Sequence, residues 1–140
     1  MAEGYGGGGV ARMYAWIFGI AYLAVAVLEL VSKSEGLSIG DAEILSFGTL
    51  HNIIHFAVGV VVLGSAWAGE GAARAVAKVV GVVFLAITVW NIVAGDSYAD
   101  FVGIEGGELP VAYTIVHAVT AIAALYAGFS GRRVYGEATA

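Results

Sequence analysis

The sequence predicts an all-α membrane protein: a four-transmembrane-helix, up-down-up-down bundle made by tandem duplication of a two-helix hairpin. Three observations predict it. The 140 residues are 60% hydrophobic and 12% charged, with a mean hydropathy of +0.90, a composition that cannot clothe a soluble domain in polar surface. The apolar residues fall into four runs, each near the roughly 20 residues that a helix needs to cross hydrocarbon at ~1.5 Å per residue. Sliding the chain by 62 residues lays the first two runs on the last two.

Residues 1–9 are polar and glycine-rich, without the basic start and short apolar core of a cleaved signal, and are expected to form a flexible leader. The membrane domain is expected over 10–129, with spans at about 10–31, 44–67, 76–94 and 110–129. The connectors 32–43, 68–75 and 95–109 hold most of the charge and the turn-forming glycines. Pro110 suits the first turn of the last helix, where a missing N–H costs little. Short connectors favour antiparallel neighbours, and residues 130–140 form a polar tail. Arg12, Arg74, Lys78, Arg132 and Arg133 fall on one side of this topology and Lys33 on the other, which places both termini in the cytoplasm. The opposite side carries Glu35, Asp41, Glu43, Asp96, Asp100, Glu105 and Glu108, acids that solvate two loops or gather cations weakly.

The 62-residue offset pairs Gly19 with Gly81, Leu23 with Leu85, Ala24 with Ala86 and Val27 with Val89. It also pairs His55 with His117 and Leu63 with Leu125, so one shift matches both hairpins in register. Two copies that each cross twice share one orientation, related by a pseudo-twofold axis along the membrane normal.

Ionisable groups at membrane depth are costly and mark function unless a structural role accounts for them. At 100° per residue Gly48, Asn52, His55 and Gly59 share a face of the second helix, with His51 at its edge. His117 stands among Tyr113, Ala121, Ala124 and Gly128 on the fourth. Small-residue stripes are the faces that membrane helices bring together, so both histidines are expected inside the bundle, His55 facing His117. Glu29 and Asn91 occupy matched places one turn from the ends of the first and third helices. The expected polar cluster is Glu29, His51, Asn52, His55, Asn91 and His117, with Tyr22, Tyr113 and Thr114 beside it.

Three readings of that cluster stand open. Its members can satisfy one another by hydrogen bonds and set the helix register, each bond contributing about 0.6–2 kcal/mol in a membrane. Alternatively, His55 and His117 can supply the axial ligands of a b-type haem, or His51, His55, His117 and Glu29 can hold a transition metal, since i and i+4 histidines reach one ion. In the third, Glu29 and the histidines carry protons or cations, although Ser65, Thr88 and Thr120 are too few to continue a conducting path.

Other chemistries are excluded. Six Lys and Arg in a chain of net charge −5 cannot bind a nucleic-acid backbone. The absence of cysteine removes disulfides, thiolate metal sites and cysteine nucleophiles. Asn52 stands where the glutamate of a zinc-protease His-Glu-x-x-His would be, and no catalytic triad or phosphate-cradling loop occurs. Trp16, Trp67, Trp90, Tyr14, Tyr98, Tyr126 and Tyr135 lie near the expected helix ends and are read as interfacial anchors.

Arg12 opening the first span, the Leu50-His-Asn-Ile-Ile-His55 segment, Arg74 followed by the Gly81 span, and the solitary His117 together carry a resemblance. Over nearly its whole length the chain resembles a bacterial family of small four-span membrane proteins catalogued only as a domain of unknown function. That resemblance implies the four-helix architecture in the inner (cell) membrane and supplies no activity. The expected function is a non-enzymatic protein of the lipid bilayer that assembles with itself or as a subunit of a larger membrane complex. Haem or metal binding through His55 and His117, and proton or cation transport through Glu29, are the alternatives.

Overall fold

The computed structural model describes residues 9–31, 48–103, 109 and 111–130 in full and the backbone at 37–39 and 42–45. Expectations for most of the leader, for Lys33, Glu35, Asp41, Glu105, Glu108 and Pro110, for the side chain of Glu43, and for the tail with Arg132, Arg133 and Tyr135 lie outside the described residues.

Four helices form on the four apolar runs: α1 over Val10–Val31, α2 over Thr49–Ala68, α3 over Glu70–Val102 and α4 over Val111–Phe129. Each is long and apolar enough to cross a membrane, and a helix answers all its mid-span backbone groups internally, as hydrocarbon requires. The outward faces are apolar as well: Leu30, Val93, Val111 and Ile122 are each more than two thirds exposed. The chain is a multi-pass membrane protein built as a four-helix bundle.

Three boundaries differ from the sequence reading. Residues 44–45, expected to open the second span, instead belong to strand β2 (Ala42–Leu45), antiparallel to β1 (Leu37–Ile39), with Ser38 opposite Glu43 and Ile39 opposite Ala42. The helix starts after Gly48, where a Cβ would come within 2.6 Å of the Val102 carbonyl oxygen. Helix α3 begins at Glu70, one residue beyond α2, because Gly69 takes φ 107°, a conformation L side chains rarely adopt. It then continues past the expected end at residue 94. Ala94 breaks the regular backbone (φ −148°, ψ 57°) and re-aims a final helical segment, which closes on Gly103 in the left-handed conformation. That segment brings Tyr98, Ala99 and Val102 against Tyr113 of α4.

The tight pairs are α1 with α2 and α3 with α4. Each is closed by a glycine with a leucine on it: Gly19 lies against the backbone of Leu63, and Gly81 against Leu125. Any Cβ at either glycine would meet its neighbour within 3 Å, so the sequence places small residues where backbones meet. Between the pairs, Tyr22 of α1 stacks on Phe84 of α3 at 5.7 Å, and alanines 11, 15, 66, 73, 77, 121, 124 and 127 fill the rest of the core.

At the end where α1 begins, one carboxylate ties α1 to α3, and an arginine ties α1 to α2. Glu70 accepts hydrogen bonds from the backbone N–H of Arg12 (2.9 Å) and Ala11 (3.4 Å), donors that the first turn of α1 leaves without helical partners. Arg74 pairs with the same carboxylate at 3.1 Å. Arg12 completes the joint by donating from Nε to the Ala66 carbonyl at 2.8 Å.

A candidate metal centre of three histidines

Glu29 lies in the last turn of α1, His51 and His55 in the first two turns of α2, and His117 in the second turn of α4. The up-down topology brings these helix ends together. All four residues are buried, Glu29 at 3%, His51 at 2%, His55 at 8% and His117 at 5% exposure.

The geometry is ordered around one carboxylate oxygen. Glu29 Oε1 stands 3.1 Å from His55 Nδ1 in a hydrogen bond and 2.8 Å from His51 Nδ1, the latter at ion-pair distance but off hydrogen-bond alignment. His117 takes its acceptor from its own helix, Nδ1 lying 2.8 Å from the Tyr113 carbonyl oxygen. An oxygen beside each Nδ1 favours the proton there and leaves the lone pair on Nε2. The Nε2 of His51 is fully buried and has no hydrogen-bond partner. One donor nitrogen from each of His51, His55 and His117 can be chosen so that all three lie within 4.8 Å of one another. Around a tetrahedral zinc ion such atoms stand ~3.3 Å apart, given ~2.0 Å bonds, a spacing tighter than this 4.8 Å bound.

The rings are held by their neighbours. Tyr113 stacks on His117 at 4.2 Å, with Phe84 at 5.3 Å, and the ring of His51 lies 4.1 Å from that of His55 and 6.5 Å from that of His117. The hydroxyls of Tyr98 and Tyr113 are 3.1 Å apart. Beside the histidines lies a cavity of about 160 Å³, walled further by Phe18, Ala21, Tyr22, Val25, Val116 and Thr120.

Of the six expected cluster residues, four converge. Asn52 and Asn91 do not join the histidines: Asn52 donates to the Ala26 carbonyl of α1 (2.8 Å) and Asn91 to Thr114 Oγ1 of α4 (2.6 Å), each fastening its own hairpin. His51, expected at the edge of the buried face, is the most buried of the three histidines. Its place is set by Glu29 on the neighbouring helix, which a single-helix projection does not include. Tyr14 and Tyr98 are not interfacial anchors but are 5% and 3% exposed; Tyr14 stacks on Phe18 at 4.6 Å, and Tyr98 is carried inward by the segment beyond Ala94. Trp67 and Tyr126 remain exposed.

No curated protein and no solved structure matches the chain. A family model matches residues 40–130, a stretch that contains all three histidines and stops short of Glu29. The chain therefore belongs to the family described as Domain of unknown function (DUF4383).

Proposed function

We propose that this membrane protein binds one divalent transition-metal ion through His51, His55 and His117, with Glu29 as the carboxylate that orients the first two imidazoles. The observation that carries the reading is the buried, unpartnered Nε2 of His51 in a cluster whose Nδ1 atoms each face an oxygen. Buried polar atoms without partners are rare, whereas a ligating histidine characteristically gives its other ring nitrogen to a carboxylate or carbonyl. Three neutral imidazoles without thiolate suit zinc, iron, cobalt or copper, and three protein ligands leave one coordination position open.

The other readings find less support. A haem needs a slot for a macrocycle between its axial ligands; here the ring of His51 fills the space beside His55, and Phe84 and Tyr113 flank His117. Transport needs polar groups beyond the histidines, yet Thr88 and Ser65 bond to their own helix at the carbonyls of Phe84 and Val62. Assembly through small-residue faces finds less support, since Gly19, Gly59, Gly81 and Gly128 already pack inside the bundle. The duplication belongs to the favoured reading: Gly19 on Leu63 and Gly81 on Leu125 are contacts one 62-residue offset apart. The second copy then supplies one ligand, with Tyr113 in the place of His51 and Asn91 in the place of Glu29.

The test is metal content. Purified protein exchanged into Zn²⁺ or Co²⁺ and stripped of loose ions is expected to retain one equivalent by elemental analysis. The His51→Ala, His55→Ala and His117→Ala variants, with helicity checked by circular dichroism, are expected to lose it. Metal-free wild-type protein, or stoichiometry unchanged in the folded triple variant, rejects the proposal.

A further inference from the structure

Two cavities open on the sides of the bundle, and they differ in what lies at their inner ends. One, of about 250 Å³, sits in the seam between α2 and α3 and is lined by alanine, valine and phenylalanine alone, among them Val58, Val83 and Phe84. The other, between α1 and α4, is walled near the surface by Ala21, Val25 and Val116 and ends on His51, His55 and His117. Ala21 and Val116 are exposed on the outward face, where lipid lies against the bundle. Helices α1 and α4 are also the most sparsely packed of the contacting helix pairs.

At the end of the bundle that holds the histidines, the last segment of α3 adds a second apolar layer. Beyond the Ala94 break, the last segment of α3 packs Tyr98, Ala99 and Val102, all at 3% exposure or less, against Tyr113 of α4, with the Tyr98 and Tyr113 hydroxyls 3.1 Å apart. The described route to the histidines is therefore the apolar opening between α1 and α4.

Resting on the metal reading above, we infer that the ion's open coordination position is served from the bilayer through the α1–α4 seam and takes a small, uncharged, lipid-soluble molecule bearing one lone-pair donor. The size follows from the volume: a cavity of ~150 Å³ holds benzene, so about 160 Å³ admits one ring or its aliphatic equivalent. The absence of charge follows from the walls, since Phe18, Val25, Phe84 and Val116 offer nothing to repay the desolvation of an ion. A lone-pair donor follows from the open position.

Pyridine, uncharged at mildly alkaline pH, is the probe. Protein in lipid nanodiscs is loaded with Co²⁺, whose visible bands report its ligands, and titrated with pyridine, each reading being scored per bound Co²⁺. Pyridine is expected to shift the bands saturably. Ala21→Trp and Val116→Trp, made separately so that one misfolded variant does not decide the matter, are expected to weaken pyridine binding about tenfold or more. Val83→Trp, in the other seam, is expected to leave it unchanged. Bands that pyridine does not move, or pyridine affinity equal in wild type and both seam variants, overturn the lipid-side route while leaving the metal site standing. Protein that takes up no Co²⁺ overturns both.

Discussion

Two glutamates near opposite ends of the bundle use the same functional group in different ways. Glu70 is half-buried and gathers the first N–H groups of α1 together with the guanidinium of Arg74. Its partners are permanent donors whose hydrogen bonds end there, and the result is a joint. Glu29 is buried and gathers two imidazoles by Nδ1. Each imidazole has a second nitrogen on the far side of the ring, so an interaction at Nδ1 with Glu29 sets which nitrogen keeps its lone pair. A carboxylate bound by guanidinium and backbone completes a structure, whereas one bound by histidines is, in the proposed metal reading, the group that orients the ligands.

The largest expected effect breaks this contrast at the Glu29 end. Glu29→Gln keeps the shape of the side chain and removes the charge that holds the Nδ1 protons, and loss of such a supporting group typically lowers metal affinity about 10–100-fold. Competition with a chelator of known affinity for Zn²⁺ measures it. Glu70→Gln, measured in the same way, is expected to leave metal affinity unchanged. Equal losses in the two variants would mean that both glutamates act through general stability, and the distinction would fall.

The next effect runs the other way. Glu70→Ala removes an acceptor from the N-terminus of α1 and the ion-pair partner of Arg74. Capping of this kind contributes typically ~1 kcal/mol and a partly exposed ion pair ~0–1 kcal/mol. Thermal unfolding in detergent is therefore expected to show a loss of about 1–2 kcal/mol, with metal affinity per folded molecule unaltered. A variant as stable as wild type would show that the clasp adds nothing measurable to the joint.

The same contrast separates what was legible in the sequence from what was not. Four helices could be read directly because apolar length alone decides whether a segment crosses hydrocarbon. The start of α2 and both ends of α3 could not, because those ends depend on local backbone chemistry. The two strands flank Gly40-Asp41, a pair that signals a two-residue hairpin turn, and counting charge and hydropathy passes over it. Glu29, His55 and His117 were legible as buried groups from helical spacing and the 62-residue match of the sequence with itself. The central position of His51 was not, since it depends on a carboxylate contributed by another helix. Glu70 was counted with the connector charge, because nothing local in Ala68-Gly-Glu70 reports that α1 starts beside it.

The smallest effect tests the second apolar layer at the histidine end. Tyr98→Phe removes one hydroxyl from the buried Tyr98–Tyr113 pair and keeps the ring that packs with Val102. The Tyr113 hydroxyl, on a residue of 0% exposure, then loses its partner, and a neutral hydrogen bond contributes typically ~0.5–1.5 kcal/mol. Unfolding of the metal-free protein is expected to fall by about that amount, less than for Glu70→Ala. Because Tyr98 touches none of the three histidines, chelator competition is expected to return the wild-type metal affinity. A fall in affinity comparable to that of Glu29→Gln would place the tyrosine pair among the groups that orient His117, through the Tyr113 carbonyl that its Nδ1 faces, and that layer would then be part of the site.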